Sequence, residues 1–453
     1  MRLVAHGIGG VRDLPVPESF FFSAAAIVLV VSFIALGALW RRPQLERRAD
    51  GQALPHGLDR VLRSKLLRVL LQSASAGLLL LTLWAALLGT TIPIDNFAPT
   101  FVYVIFWLGV PLLSVLFGNV WRVLSPWRAI ADAGVWLLER GGRRARPIYD
   151  YPERLGRYPA AFALLAFVAL ELAHPRPADP RVLAVAIALY TYWALAGMAV
   201  YGREPWTTGG EGFAAAFGLL ARMAPFAGRD DRIVVRWPLT GLGGAERLPG
   251  TLAVIAVLLG STSFDGFSRT TLWQNQLADV RAGLVGAPAW RVDLTMSLVN
   301  LAGLVAFAAA VAATYLVAVT IARRLVHVSQ SLVPEFILSL VPIAAAYTVA
   351  HYFSLFLIQG QFMIPLASDP LGRGWDLFGT ADFQPNFAVV SPETVWYVQV
   401  GALVVGHVAG LAIAHDRAVA LFERREDALR SQYPMLALMV FFTVGGLWLL
   451  SQG

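Results

Sequence analysis

The apolar stretch from Phe20 to Trp40 runs directly into Arg41, Arg42, Arg47 and Arg48, and this alternation of apolar span and arginine cluster recurs along the whole chain. About 20 consecutive apolar residues are what a helix needs to cross the hydrocarbon core of a bilayer. A chain patterned this way has lipid for its solvent. Composition agrees: of 453 residues, 57% are hydrophobic and 14% charged, with mean hydropathy +0.62, whereas a soluble domain carries about a quarter charged residues. The net charge of +7 needs no nucleic-acid partner, because the arginines flank apolar spans, where basic loops set membrane orientation.

Ten candidate spans can be read off, at roughly 20–40, 66–89, 98–118, 158–174, 182–202, 250–273, 294–321, 333–358, 394–415 and 435–451. The sixth has the shortest clean apolar run, Leu252 to Gly260. With the amino terminus outside and alternating sides, the inner segments hold 28 of the 36 Lys and Arg residues and the outer segments 8. That is the asymmetry of the positive-inside rule. Without the sixth span, Arg417, Arg424, Arg425 and Arg430 would fall outside.

The expected fold is therefore all-α: a polytopic integral membrane protein, one membrane domain over 1–453, with about ten transmembrane helices and both termini outside. Residues 1–19 form an outer amino-terminal segment without a secretory h-region, and Phe20–Trp40 reads as an uncleaved anchor. Two further amphipathic helices, Val120–Leu138 and Glu211–Pro225, are expected at the inner interface, with Trp121, Trp127 and Trp206 at headgroup level. The outer loop 359–394 is long enough to be a lid, with plain connector as the alternative. One lysine against 35 arginines points to a GC-rich bacterial genome and hence a bacterial inner membrane. The absence of cysteine excludes disulfides, thiolate metal sites and a cysteine nucleophile.

Ionisable residues inside a span are costly and face protein or water rather than lipid. Most of them cluster in the outer half: Asp265 on span six, His351 on span eight, Glu171 and His174 at the end of span four, and Asp95, beside the polar Asn96, before span three. His407 lies near the middle of span nine, between Gly406 and Gly410, a spacing that permits close helix packing. Glu335 and His415 sit at inner ends. Each has a plain reading as well. Asp265 and Arg269, four apart, can pair with each other. Glu171 and His174 suit an interface, Asp95 and Asn96 a solvated turn, and His415 a solvated helix end. His351 and His407 can be buried histidines satisfied by a carbonyl or hydroxyl. Taken together, Asp265, His351 and His407 would supply a carboxylate and two imidazoles, a recurrent set for catalytic zinc or non-haem iron, although no H-E-x-x-H or comparable spacing accompanies them. Nucleophile-elbow, Walker A and dinucleotide signatures are missing.

Several motifs resemble one family. They are Ala5-His-Gly with Asp13-Leu-Pro-Val-Pro17, Gly118-Asn-Val-Trp-Arg-Val-Leu-Ser-Pro-Trp127, Ser263-Phe-Asp-Gly266, Ala350-His-Tyr-Phe-Ser354, and Gly406-His407 with Ala414-His-Asp-Arg-Ala418. Together they resemble the fenitrothion hydrolase family, membrane-associated organophosphate hydrolases of bacteria, over nearly the whole chain. The resemblance implies phosphotriester hydrolysis, a reaction usually run by metal-activated water, with Asp265, His351 and His407 the residues to hold a divalent metal. Two other classes stand beside it. A secondary carrier would take a small-molecule substrate, and five spans per half would give two halves of opposite orientation, as in inverted-repeat carriers. A membrane subunit would dock a protein partner on its inner face.

Overall fold

A computed structural model describes residues 18–45, 48, 50–144, 146–229 and 231–452. The amino-terminal segment, with the Ala5 and Asp13 motifs, lies outside the described residues up to Glu18. Helix starts are written in the sequence. Ser64, Ser125, Asp179, Thr270 and Ser391 each cap a helix by accepting a backbone N–H from its first turn. After Ser125, Asp179 and Ser391 a proline takes the first helical position, where its missing N–H costs nothing. The main helices are α1 (Glu18–Leu39), α2 (Lys65–Leu88), α3 (Phe97–Phe117), α4 (Pro126–Arg140), α5 (Tyr158–Leu172), α6 (Pro180–Tyr201) and α7 (Gly212–Leu220). They continue with α8 (Thr251–Phe267), α9 (Thr271–Ala282), α10 (Ala289–Leu325), α11 (Val341–Gln359), α12 (Pro392–Leu421) and α13 (Tyr433–Ser451).

Among the described residues, nine helical stretches are long and apolar enough to cross a membrane, and α8 with α9 makes a tenth if that pair, bent by 78°, counts as one. They overlap the ten stretches marked in the sequence, with the second beginning at His56 and the eighth running on to Ser368, and the sixth differs in detail. The sequence places it over 250–273 as a single span. It is instead regular α-helix through Phe267, and the chain bends over Ser268–Thr270. Gly260 serves packing: a Cβ there would lie 2.5 Å from Cα of Ala308 on α10. The short apolar run also has a cause. Twelve of the seventeen residues of α8 are buried by protein, so this helix has little lipid to face and can carry Ser261, Thr262 and Asp265.

The five arginine-rich connections meet at one end of the bundle. Three strands, β1 (Gln52–Ala53), β2 (Phe226–Arg229) and β3 (Arg232–Val235), form an antiparallel sheet in the order β1-β3-β2, a small addition to the expected all-α fold. Ion pairs Arg63–Asp231 and Arg229–Asp50 flank it. Arg203 pairs with Asp132, Arg122 and Arg128 with Glu204, and Arg417 and Arg247 with Glu335. At the other end Arg181 donates to the carbonyls of Ala86 and Gly89. There the 359–394 loop docks through Leu371, whose carbonyl accepts from Thr90 N at 2.8 Å.

Two expectations at the arginine-rich end fail. The segment 211–225 was to lie on the membrane surface, yet seven of the nine residues of α7 are buried. A helix apolar on all sides belongs inside. Trp121, Trp127 and Trp206 are only 4–5% exposed; Trp121 and Trp127 pack into an aromatic cluster with Phe106, Trp107, Phe213 and Phe217, and Trp206 packs against Tyr151, Trp193 and Tyr201. Their N–H groups explain part of this: Trp121 Nε1 donates to Glu211 at 3.1 Å and Trp127 Nε1 to Thr191 at 3.0 Å. Of the two expected surface helices, α4 alone exposes an apolar side, at Trp136, Leu137 and Leu138.

His415 is not solvated either. It is buried, and its ring bridges Gln432 Oε1 and the Trp40 carbonyl, each at 2.9 Å. Its neighbour Asp416 accepts from Trp40 Nε1 at 2.8 Å and from the backbone N–H groups of Gln44 and Leu45. These two residues latch the arginine-flanked end of α1 onto α12. A hydrogen bond to a charged group contributes about 1.5–3 kcal/mol, so Asp416→Ala should free this connection. The expected readout is faster tryptic cleavage after Arg41; a wild-type cleavage rate would contradict the latch.

Candidate functional site

The ionisable groups of the central helices converge at the end away from the arginines. Asp265 projects from the last turn of α8 with its side chain 6% exposed. Arg269, four residues on and just past the helix end, donates to Asp265 Oδ1 at 2.7 Å. On α11, His351 Nε2 lies 2.8 Å from Asp265 Oδ2, and the Tyr352 hydroxyl donates to the same oxygen at 3.1 Å. Both plain and functional readings of Asp265 are thus realised at once: it pairs with Arg269 and also binds His351. One carboxylate with three hydrogen-bonding partners is the kind of satisfied network a buried charge requires.

Tyr352 links this network to a cavity of about 20 Å³, room for roughly one water. The lining includes Glu171 of α5, Ser261 and Thr262 of α8, and Thr348 of α11. The three hydroxyls donate to carbonyls of their own helices, which keeps their oxygens available as acceptors. Glu171 interacts electrostatically with Asp265 and with Tyr352. It has no hydrogen bond or ion pair among the described residues. Glu171 was legible in the sequence as an ionisable residue at a span end. Tyr352 and the hydroxyls were not, because Tyr, Ser and Thr are ordinary in a span and nothing local distinguishes these.

His407 does not join the group. It is fully buried at the α11–α12 contact, its Nδ1 2.8 Å from the Leu403 carbonyl and its Nε2 without a partner. Its ring centroid lies 6.0 Å from that of Tyr347, which precedes His351 on α11 by one turn, about 6 Å at 1.5 Å per residue. The expected meeting of Asp265, His351 and His407 is therefore reduced to the first two. Among the described residues no group of three or more His, Cys, Asp or Glu is placed to hold a metal ion, so these side chains do not fit the zinc or iron site proposed for them. The flanking glycines do what their spacing indicated: Gly406 and Gly410 bring α12 against Pro342, Ala346 and Ser339.

A second, wider cavity of about 150 Å³ lies at the arginine-rich end, lined by residues that include Arg122, Arg128, Arg157, Arg222 and Glu204. Helix α7 borders both. Phe217 and Leu220 line the small cavity, while Ala214, Ala215 and Gly218 line the large one. No family model, curated protein or solved structure matches the chain.

Proposed function

We propose that the chain is a proton-coupled carrier of a small-molecule solute, threaded through a bacterial inner membrane with its arginine-rich end in the cytoplasm and both termini outside. Its one obligate partner is then the lipid bilayer. The observation that carries this reading is the Tyr352 hydroxyl. It joins the Asp265–His351–Arg269 network to a cavity that presents Glu171, a carboxyl without a cationic partner among the described residues. Ionisable groups within apolar helices mark proton relays and substrate paths. In this reading Glu171 exchanges a proton with the cavity, and Asp265 with His351 and Tyr352 passes it on. Helix α7, between the two cavities, is the barrier on the cytoplasmic side.

The hydrolase suggested by resemblance finds less support, because Asp265, His351 and His407 do not form one ligand set. Charge movement after a pH step, recorded on protein-loaded liposomes adsorbed to a solid-supported membrane, tests the carrier without knowledge of its solute. Wild-type protein should displace charge, and Glu171→Gln should reduce that signal at least tenfold while eluting as a folded species. A wild-type trace like that of empty liposomes, or a Glu171→Gln trace like that of wild type, would refute the relay.

A further inference from the structure

We propose that the arginine-lined cavity beside α7 is a binding site for a phosphate-class oxyanion. Four guanidinium groups line it, those of Arg122, Arg128, Arg157 and Arg222, against the single carboxylate of Glu204. Glu204 is already engaged by Arg122 and Arg128, and its carboxyl is held below the usual range, first by the hydrogen bond from Arg128.

The other two arginines have no such partner. Arg157 is 5% exposed. Its Nη1 donates to Thr251 Oγ1 at 2.9 Å and its Nε to the Thr208 carbonyl at 3.4 Å, so the group is fixed in place by neutral acceptors. The Arg222 side chain is half-buried and makes no hydrogen bond or ion pair among the described residues. These two cations repel each other. Arg222 repels Arg236 as well. Glu246 offsets both Arg157 and Arg222 only from a distance, and its side chain is exposed. Buried or half-buried guanidinium groups of like charge without a contacting carboxylate are costly. An anion seated between them removes that cost, and the planar fork of arginine matches the oxygens of a phosphate group. The mouth is open to water at Arg122 and Glu204, whose side chains are 62% and 59% exposed. The cavity's volume exceeds the roughly 10–15 Å³ that one water needs by an order of magnitude, which leaves room for a tetrahedral oxyanion.

The same chemistry is offered by free phosphate or a phosphomonoester and by the headgroup of an anionic phospholipid. Binding is measured on the full chain, so it is independent of proton coupling, and either reading can fail without the other. Purified protein in phospholipid-free detergent is titrated with inorganic phosphate, with chloride at matched ionic strength as control, and its thermal unfolding midpoint followed. In parallel, the protein is exposed to mixed micelles of phosphatidic acid and phosphatidylcholine, and the retained lipid is weighed by native mass spectrometry. Phosphate-specific stabilisation with no lipid preference identifies a soluble oxyanion; selective retention of phosphatidic acid without phosphate stabilisation identifies a headgroup. Either response should weaken by roughly tenfold or more in Arg222→Gln, the loss of one charge-assisted contact. It should strengthen severalfold in Glu204→Gln, which removes the competing carboxylate. Arg157→Gln tests the same site, but Arg222→Gln decides the matter should the buried substitution fail to fold. The assignment is overturned if chloride stabilises as well as phosphate and neither lipid is preferred, or if Arg222→Gln binds like wild type.

Discussion

Gly410→Leu is expected to abolish the folded protein, with Gly406→Leu close behind. A Cβ at Gly410 would lie 2.5 Å from the carbonyl oxygen of Ser339, and one at Gly406 would meet the Ala346 Cβ and lie 2.9 Å from the Pro342 carbonyl. Those obstacles are backbone or backbone-anchored, so no rotamer change relieves them. Overpacking costs about 1–3 kcal/mol where the surroundings can shift, and more where they cannot. Gly401 on the same helix is the internal control, because a Cβ there meets nothing within 4 Å. Gly401→Ala should be neutral or slightly stabilising, by about 0.5–1 kcal/mol. Monodisperse elution and thermal midpoint in detergent measure all three. A Gly410→Leu protein that elutes and melts like wild type would show that α11 and α12 are not seated as described.

Asp265→Leu should be nearly as severe. The substitution strands Arg269, His351 and the Tyr352 hydroxyl together. Removing one partner of a buried charged pair costs about 3–5 kcal/mol, mostly through the uncompensated partner. The sign of the second step is diagnostic. Adding Arg269→Met to Asp265→Leu removes the orphaned cation and should recover part of the loss, whereas independent sites would only add. Reversible unfolding in mixed detergent–denaturant gives both numbers. A double variant less stable than Asp265→Leu alone would mean that Arg269 holds the bend after α8 by other means.

Much of this was legible in the residues. Span positions follow from apolar length, and the sixth, least apolar span could still be placed because the arginine balance demanded it. Asp265 and His351 were legible because charge in an apolar helix is costly enough to imply a partner. His407 was misplaced for a related reason: depth along a span can be counted from sequence, but rotation about the helix axis cannot, and His407 faces Tyr347 rather than Asp265. The tryptophans misled through their amphipathic character. A ring beside an arginine suits a headgroup region, but Trp121 found its acceptor in Glu211, about ninety residues away. Arg157 and Arg222 were counted as two more positive-inside charges. Only the fold brings them beside one cavity, since they come from just before α5 and just after α7.

The latch between Trp40 and Asp416 joins residues 376 positions apart, and Phe33 of α1 rests on Tyr433 of α13. Ribosomes add about 5–20 residues per second, so α1 is synthesised roughly 20–75 s before its permanent neighbours exist. During that interval the faces of α1 that α12 and α13 will cover have no lasting partner. Closure of the bundle is thus one of the last events of biogenesis, and a chain interrupted anywhere before α12 leaves its first helix unclaimed and recognisable to a membrane protease.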